Sequence, residues 1–102
     1  MSILPARIDI PAEQIAEICR RRRVRRLALF GSVIRDDFTP QSDVDVLVEF
    51  EPGYVDGFGF FDMRYELIDL FHREVDLHTA ASLSPYFRQE VLDEAEEIYV
   101  AP

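Results

Sequence analysis

A chain of 102 residues, 48% apolar and 30% charged, can bury one modest core, so a single domain over residues 1–102 is expected. Twenty acids against eleven arginines leave a net charge of −9, the wrong sign for general nucleic-acid binding. No apolar run approaches the roughly 18 residues of a membrane span, Pro5, Arg7, Asp9 and Pro11 interrupt any signal-peptide pattern, and a lone Cys19 excludes an internal disulfide; the expected location is cytoplasmic.

Residues 1–10 read as an irregular lead-in. Pro11 suits the first position of a helix running to about Arg22, with Ile15, Ala16, Ile18 and Cys19 as its apolar stripe. Its end is crowded by Arg20 to Arg23, followed by Arg25 and Arg26. Residues 1–35 carry eight arginines and three acids (+5), whereas residues 36–102 carry three and seventeen (−14). The cluster reads either as a solvated helix end favoured by the helix dipole or as a docking surface for an acidic partner or nucleotide phosphates. Val24 to Phe30 is the first strand, and its run Leu27-Ala28-Leu29-Phe30 marks it as buried. Gly31-Ser32 then turns the chain into a short helix expected to reach Asp36 or Asp37, with Ser32 as the cap before Val33.

Thr39-Pro40-Gln41-Ser42 is a turn cluster leading into a strand of strict alternation, Asp43 to Phe50. Val44, Val46, Val48 and Phe50 line one face; Asp43, Asp45, Leu47 and Glu49 line the other. Residues Glu51 to Gly59, with Pro52, Gly53, Gly57 and Gly59, read as a flexible loop. A longer helix from about Phe60 to His72 follows, carrying Phe60, Met63, Leu67, Ile68 and Phe71 at helical spacing as core. Val75 to Thr79 is a third short strand. Ser84 caps and Pro85 opens a last helix with the stripe Phe87, Val91, Leu92 and Ala95, and Ile98-Tyr99-Val100 forms a short edge strand. The pattern is one α/β (α+β) unit, a small sheet covered by helices.

The chemistry is concentrated in two places. Asp43 and Asp45 stand about 7 Å apart along their strand and point the same way. Like charges so placed call for a cation between them, and a divalent ion with oxygen preference fits. The alternative is an exposed face with ordinary surface carboxylates. Gly31 tolerates φ > 0 and the close approach of a phosphate, while free N–H groups at the helix start and the Ser32 hydroxyl favour an anion. A phosphate cradle beside paired carboxylates is what nucleotide chemistry needs. Asp76 is out of place between Val75 and Leu77 unless it has a partner, or serves as an edge charge against sheet-to-sheet pairing. Arg35 is either a phosphate ligand or an exposed helix charge. His78 lies on the face of Asp76 and is either a substrate contact or, as the first reading, a surface histidine; His72 ends a helix and is given no function.

Gly31-Ser32, a ten-residue spacer and Asp43-x-Asp45 together resemble the signature of the polymerase-β-like nucleotidyltransferase superfamily. The whole chain looks like its smallest members, the minimal nucleotidyltransferases of the MntA type. The resemblance runs from roughly Ile15 to Val100 and takes in Arg35, Ser42, Leu47-Val48-Glu49-Phe50, Arg73-Glu74-Val75-Asp76-Leu77 and Glu94 to Tyr99. It implies a mixed sheet, with two Mg²⁺ ions held by Asp43 and Asp45 and with Asp76 as third carboxylate and general base. The same resemblance places a nucleoside triphosphate, ATP, against Gly31, Ser32, Arg35 and Ser42. Transfer is then in-line attack on the α-phosphorus with pyrophosphate leaving.

A chain of this length has no room for a second, acceptor-binding domain, so the acceptor surface is expected from another protein or a second copy. The resemblance implies a HEPN-type toxin as that partner, modified with AMP on a tyrosine, and this chain as its antitoxin. Two alternatives stay open: an antitoxin that neutralises by binding alone, and the catalytic half of a small-molecule nucleotidyltransferase. The sequence also departs from the family, with Asp36-Asp37 where relatives often place glycine and His72-Arg73 in place of a glycine-containing turn.

Overall fold

The computed structural model describes residues 8–35, 38–53 and 57–102. Strands Val24–Phe30 (β1), Val44–Phe50 (β2), Val75–His78 (β3) and Glu96–Val100 (β4) form one mixed sheet in the order β3-β2-β1-β4. β1 is antiparallel to both β2 and β4, and β2 is parallel to β3. A parallel connection cannot be a tight turn. Here the helix Gly57–Phe71 (α2) makes the crossover, preceded in the chain by Ala12–Arg21 (α1) and followed by Arg88–Glu94 (α3).

One face of the sheet carries the core. Leu27 and Leu29 of β1, Val44, Val46 and Val48 of β2, Val75 and Leu77 of β3 and Ile98 of β4 pack with Ile15, Ile18 and Cys19 of α1 and Met63, Leu67 and Phe71 of α2. Each such large side chain, fully buried, contributes about 1.5–3 kcal/mol. On the other face Phe30 meets Leu83 and Val91, with Leu47 and Ala95 against them. Coverage on both faces explains why Leu27 to Phe30 is buried without a break.

The element boundaries shift where tertiary contacts intervene. Pro11 sits at the N-cap of α1, its carbonyl accepting from the N–H of Ile15 at 3.0 Å. Gly57 and Gly59, expected in a loop, begin α2. That helix ends with His72 at φ 57°, the left-handed conformation that usually selects glycine, and its N–H bonds to the Ile68 carbonyl at 2.8 Å. His72 therefore holds a helix-ending turn that glycine usually supplies. Ser84-Pro85 opens a turn, not the helix: the Phe87 N–H bonds to the Ser84 carbonyl at 3.2 Å and α3 starts at Arg88. A 3₁₀ turn at Ala80–Ser82, closed by a Thr79–Ser82 capping box, was not anticipated. Residues 1–7 of the expected lead-in, Asp36-Asp37 and residues 54–56 of the expected loop lie outside the described residues. No helix among the described residues is long and apolar enough to cross a membrane.

The arginine cluster is tied to acids contributed by distant segments. Arg21 and Arg22 both reach Glu66 of α2, at 2.8 and 2.9 Å. Burial pushes the Glu66 carboxyl up, but hydrogen bonds from these two arginines outweigh it and hold its pKa below the ordinary value. Arg23 pairs with Glu51 at 3.2 Å, and Arg26 with Glu97 at 2.7 Å. Arg25 lies 3.6 Å from Glu49. Most of these groups are half-exposed, so each pair is worth little alone; together they neutralise the positive end of α1 and the start of β1.

Cys19 is wholly buried, and desolvation, partly offset by the charge of Arg20, pushes its thiol up to about 12. The thiolate is the reactive form. At pH 8 the folded chain is expected to react with a thiol reagent at least about a thousandfold more slowly than the unfolded chain. Labelling followed across a denaturant series checks this, and rapid labelling of the native chain would contradict the burial of α1.

Candidate functional site

The site is built where β1 ends. Phe30 is extended, and Gly31 then takes φ 74° and starts a 3₁₀ turn, Gly31–Ile34. A Cβ on Gly31 would land on Oδ2 of Asp45, so only glycine lets the turn lie against that carboxylate. The short helix expected to reach Asp36 or Asp37 is a single 3₁₀ turn ending at Ile34, closed by the Arg35 N–H on the Ser32 carbonyl at 2.9 Å. Because the turn begins at Gly31, Ser32 sits inside it and does not cap it. It is half-buried.

Sheet register does the rest. Asp45 lies opposite Phe30 on β1 and opposite Asp76 on β3, so the two carboxylates are lateral neighbours on one face. His78, two residues beyond Asp76, shares that face. Its Nε2 is 3.2 Å from Asp76 Oδ2, and its ring packs edge-on to Phe30 with centroids 5.6 Å apart. Ligand atoms of Asp45, Asp76 and His78 all lie within 4.8 Å of one another. Burial raises the pKa of Asp45, and the charges of Asp76 and Asp43 raise it further; His78 and Arg35 offset part of this. A half-buried carboxylate held charged against two others is a place where a divalent cation lowers the energy. The donor set therefore fits one.

The remaining expected site residues stand around this cluster. Asp43 is exposed, one residue before β2, and is not among the three grouped side chains. Arg35 follows the turn in extended conformation and holds Glu94 of α3 with Nη2 at 2.5 and 2.7 Å from the two carboxylate oxygens. The Ser42 hydroxyl accepts from the Thr39 N–H at 2.9 Å and closes the turn before β2. Arg73 braces the same turn, donating to the Thr39 carbonyl at 3.0 Å with its guanidinium 4.5 Å from the Phe38 ring centre. The sequence placed His78 on the face of Asp76 but read it first as a surface histidine, and it gave Arg73 no role of its own. The signal for His78 was its two-residue spacing from Asp76; for Arg73 there was none.

Beside the carboxylates, on the same side of the sheet, runs a groove of about 640 Å³ whose lining includes Ala28, Leu47, Phe50, Thr79, Leu92 and Ala95. Leu47 is two residues past Asp45 and Thr79 follows His78, so the groove opens at the cluster's flank.

Comparison with known proteins bears on this geometry directly. The nucleotidyltransferase domain family matches residues 12–98. A relative from Methanocaldococcus jannaschii that carries the name of a protein adenylyltransferase is 33% identical over 85 residues, covering 83% of this chain and 90% of its own. The solved structure of a minimal nucleotidyltransferase is 33% identical, with a TM-score of 0.69 over 82% of this chain and 85% of that one. The complex of a tri-AMPylated Shewanella oneidensis HEPN toxin with its MNT antitoxin shares the fold at 21% identity and a TM-score of 0.61, covering 88% of this chain and 70% of that one. The mixed sheet with its helices is the polymerase-β-like fold. This chain belongs to the nucleotidyltransferase domain family, among the minimal nucleotidyltransferases.

Proposed function

We propose that this chain transfers AMP from ATP to a hydroxyl of a protein partner, a tyrosine of a HEPN-type toxin, and so acts as the antitoxin of a pair. The observation that carries the reading is the side-by-side placement of Asp45 and Asp76 at the foot of the Gly31 turn. Asp43, Asp45 and Asp76 would hold Mg²⁺, as two ions once the triphosphate supplies further oxygens. Bound there, Mg²⁺ neutralises phosphate charge and eases ionisation of the acceptor hydroxyl.

The chain's own residues do the positioning. Gly31 lets its turn lie directly against the Asp45 carboxylate, and Ser32 offers its hydroxyl and N–H to phosphate oxygens. Arg35 exchanges Glu94 for phosphate, a bidentate partner of the same geometry. Ser42 keeps the Thr39–Ser42 turn in place so that Asp43 faces the nucleotide. Asp76, whose side chain is 57% exposed, takes the proton of the incoming hydroxyl. The groove, whose lining also includes Arg26, Glu49, Glu96 and Glu97, gives the acceptor segment a bed beside these groups.

A second reading, neutralisation by binding alone, draws on the exposed Phe61, Tyr65, Tyr86 and Phe87. One experiment separates the two. The partner protein is incubated with this chain, ATP and Mg²⁺, and its intact mass is compared with an Asp43→Asn/Asp45→Asn control. A gain of AMP units that disappears with the control is the expected result. An unchanged mass, with a stable complex and a silenced toxin, would assign the fold to binding.

A further inference from the structure

The feature that the family signature leaves unexplained is His78. It is the third member of the cluster, only 27% exposed at its side chain, and its ring is held by Phe30. We propose that His78 is a direct ligand of the cation shared by Asp45 and Asp76, and that its imidazole makes the site selective for a first-row transition ion such as Mn²⁺ over Mg²⁺. The proposal rests on reading Asp45 and Asp76 as metal ligands, and it adds a donor of a different kind.

The geometry favours ligation. In an octahedral site with bonds of about 2.1 Å, adjacent ligand atoms stand roughly 3 Å apart, the bond length times √2. His78 Nε2 and Asp76 Oδ2 are 3.2 Å apart, so one cation can bridge them as an edge of its coordination polyhedron. Opposite ligands of such an ion are separated by about 4.2 Å, and all three donor atoms lie within 4.8 Å of one another, so the side chains need draw together only slightly to share one ion. The backbone sets this edge. Asp76 and His78 are alternate residues of a strand only four residues long, and the parallel register places Asp45 beside Asp76 and Leu47 beside His78. Ring and carboxylate therefore converge on the position that Asp45 addresses from the neighbouring strand.

Chemistry then sets the selectivity. Mg²⁺ is a hard ion that favours oxygen donors and sheds water reluctantly. An imidazole nitrogen adds more to the binding of the first-row transition ions. Replacing one oxygen of an all-carboxylate site by nitrogen shifts preference toward them.

The test needs no nucleotide and no partner. Untagged protein is titrated with Mn²⁺, followed by the loss of the free-ion electron paramagnetic resonance signal, and Mg²⁺ is measured by competition. Mn²⁺ is expected to bind at least about tenfold more tightly than Mg²⁺. His78→Ala should cost about tenfold or more in Mn²⁺ affinity and less than about twofold in Mg²⁺ affinity. Pulsed measurements should show ¹⁴N coupling to bound Mn²⁺ in the wild type and lose it in His78→Ala. The other histidine, His72, is exposed beyond the end of α2, and His72→Ala should leave the coupling in place. Equal loss of both metals without nitrogen coupling would overturn the proposal and reduce His78 to a prop for Asp76, leaving the carboxylate site standing. If neither ion binds and Asp45→Asn makes no difference, the metal reading itself falls, and this proposal with it.

Discussion

Asp45→Asn is expected to reduce nucleotidyl transfer by at least about a thousandfold while raising the Tm of the metal-free protein by about 2–5 °C. The two effects have one cause. Burial and the neighbouring charges of Asp76 and Asp43 raise the pKa of Asp45 above its unfolded value. For an acid shifted this way the folded state binds the proton more tightly than the unfolded state. Stability is then present below the unfolded pKa and declines as pH rises toward the raised folded value. At neutral pH the charged carboxylate weighs against the fold, and the amide removes that burden.

The gain of the variant should therefore grow as pH rises from the unfolded carboxylate range, at about pH 4, through the raised folded pKa, level off above it, and vanish in more acid solution, where Asp45 is protonated in both states. Thermal melts in a chelator across that range measure it. Added Mg²⁺ should raise the Tm of the wild type and leave that of the variant unmoved, because only the former has a site to fill. A variant melting below the wild type at pH 7 would mean that Asp45 is not held under electrostatic strain.

Gly31→Ala should be the most damaging single methyl group in the protein, lowering Tm by about 10 °C or more and transfer at least a hundredfold. Two costs add. A φ of 74° disfavours any side chain, by about 1–2 kcal/mol. The new Cβ also lands on Asp45 Oδ2 and must displace the carboxylate proposed to hold the cation. Gly53 separates these terms. It has φ 80° with nothing within 4 Å of the Cβ position, so Gly53→Ala carries only the backbone penalty. Repeating Gly31→Ala in an Asp45→Ala background removes the collision and should shrink its cost toward that of Gly53→Ala. An undiminished cost would show that the contact with Asp45 is not what demands glycine.

Much of this architecture could be read from local pattern. β1 runs from Val24 to Phe30 as its apolar run indicated, and β2 buries Val44, Val46 and Val48 while turning Asp45 the other way. Such features depend on periodicity within a few residues, which a sequence displays directly. The Gly31-Ser32 turn was legible from the strand end at Phe30 and Asp45 from the alternation of β2, whereas Asp43 falls one residue before that strand.

What could not be read depends on distant partners. Arg35 was assigned to phosphate without knowledge of Glu94, 59 positions away, which holds it in this structure. The arginine cluster had two interpretations because nothing local reveals Glu66, Glu51 or Glu97 opposite it. The helix after Ser32 was overextended because apolar Val33 and Ile34 suit a longer helix as well as a 3₁₀ turn, and packing against the core decides between them. His78 looked like a surface residue because Phe30, which orients it, lies on another strand.

The parallel pairing of β2 with β3 also governs how the site comes into being. Asp45 and Asp76 are 31 positions apart in sequence (76 − 45), and no hairpin can join them. Closing that loop costs entropy that nearby contacts do not repay, so the carboxylates are expected to meet only after α2 has been laid down. β3 is four residues long and lies at the sheet's edge, the region of a domain that opens most readily. Catalytic competence is thus expected late in folding and early among the losses on warming, ahead of the sheet built on β1.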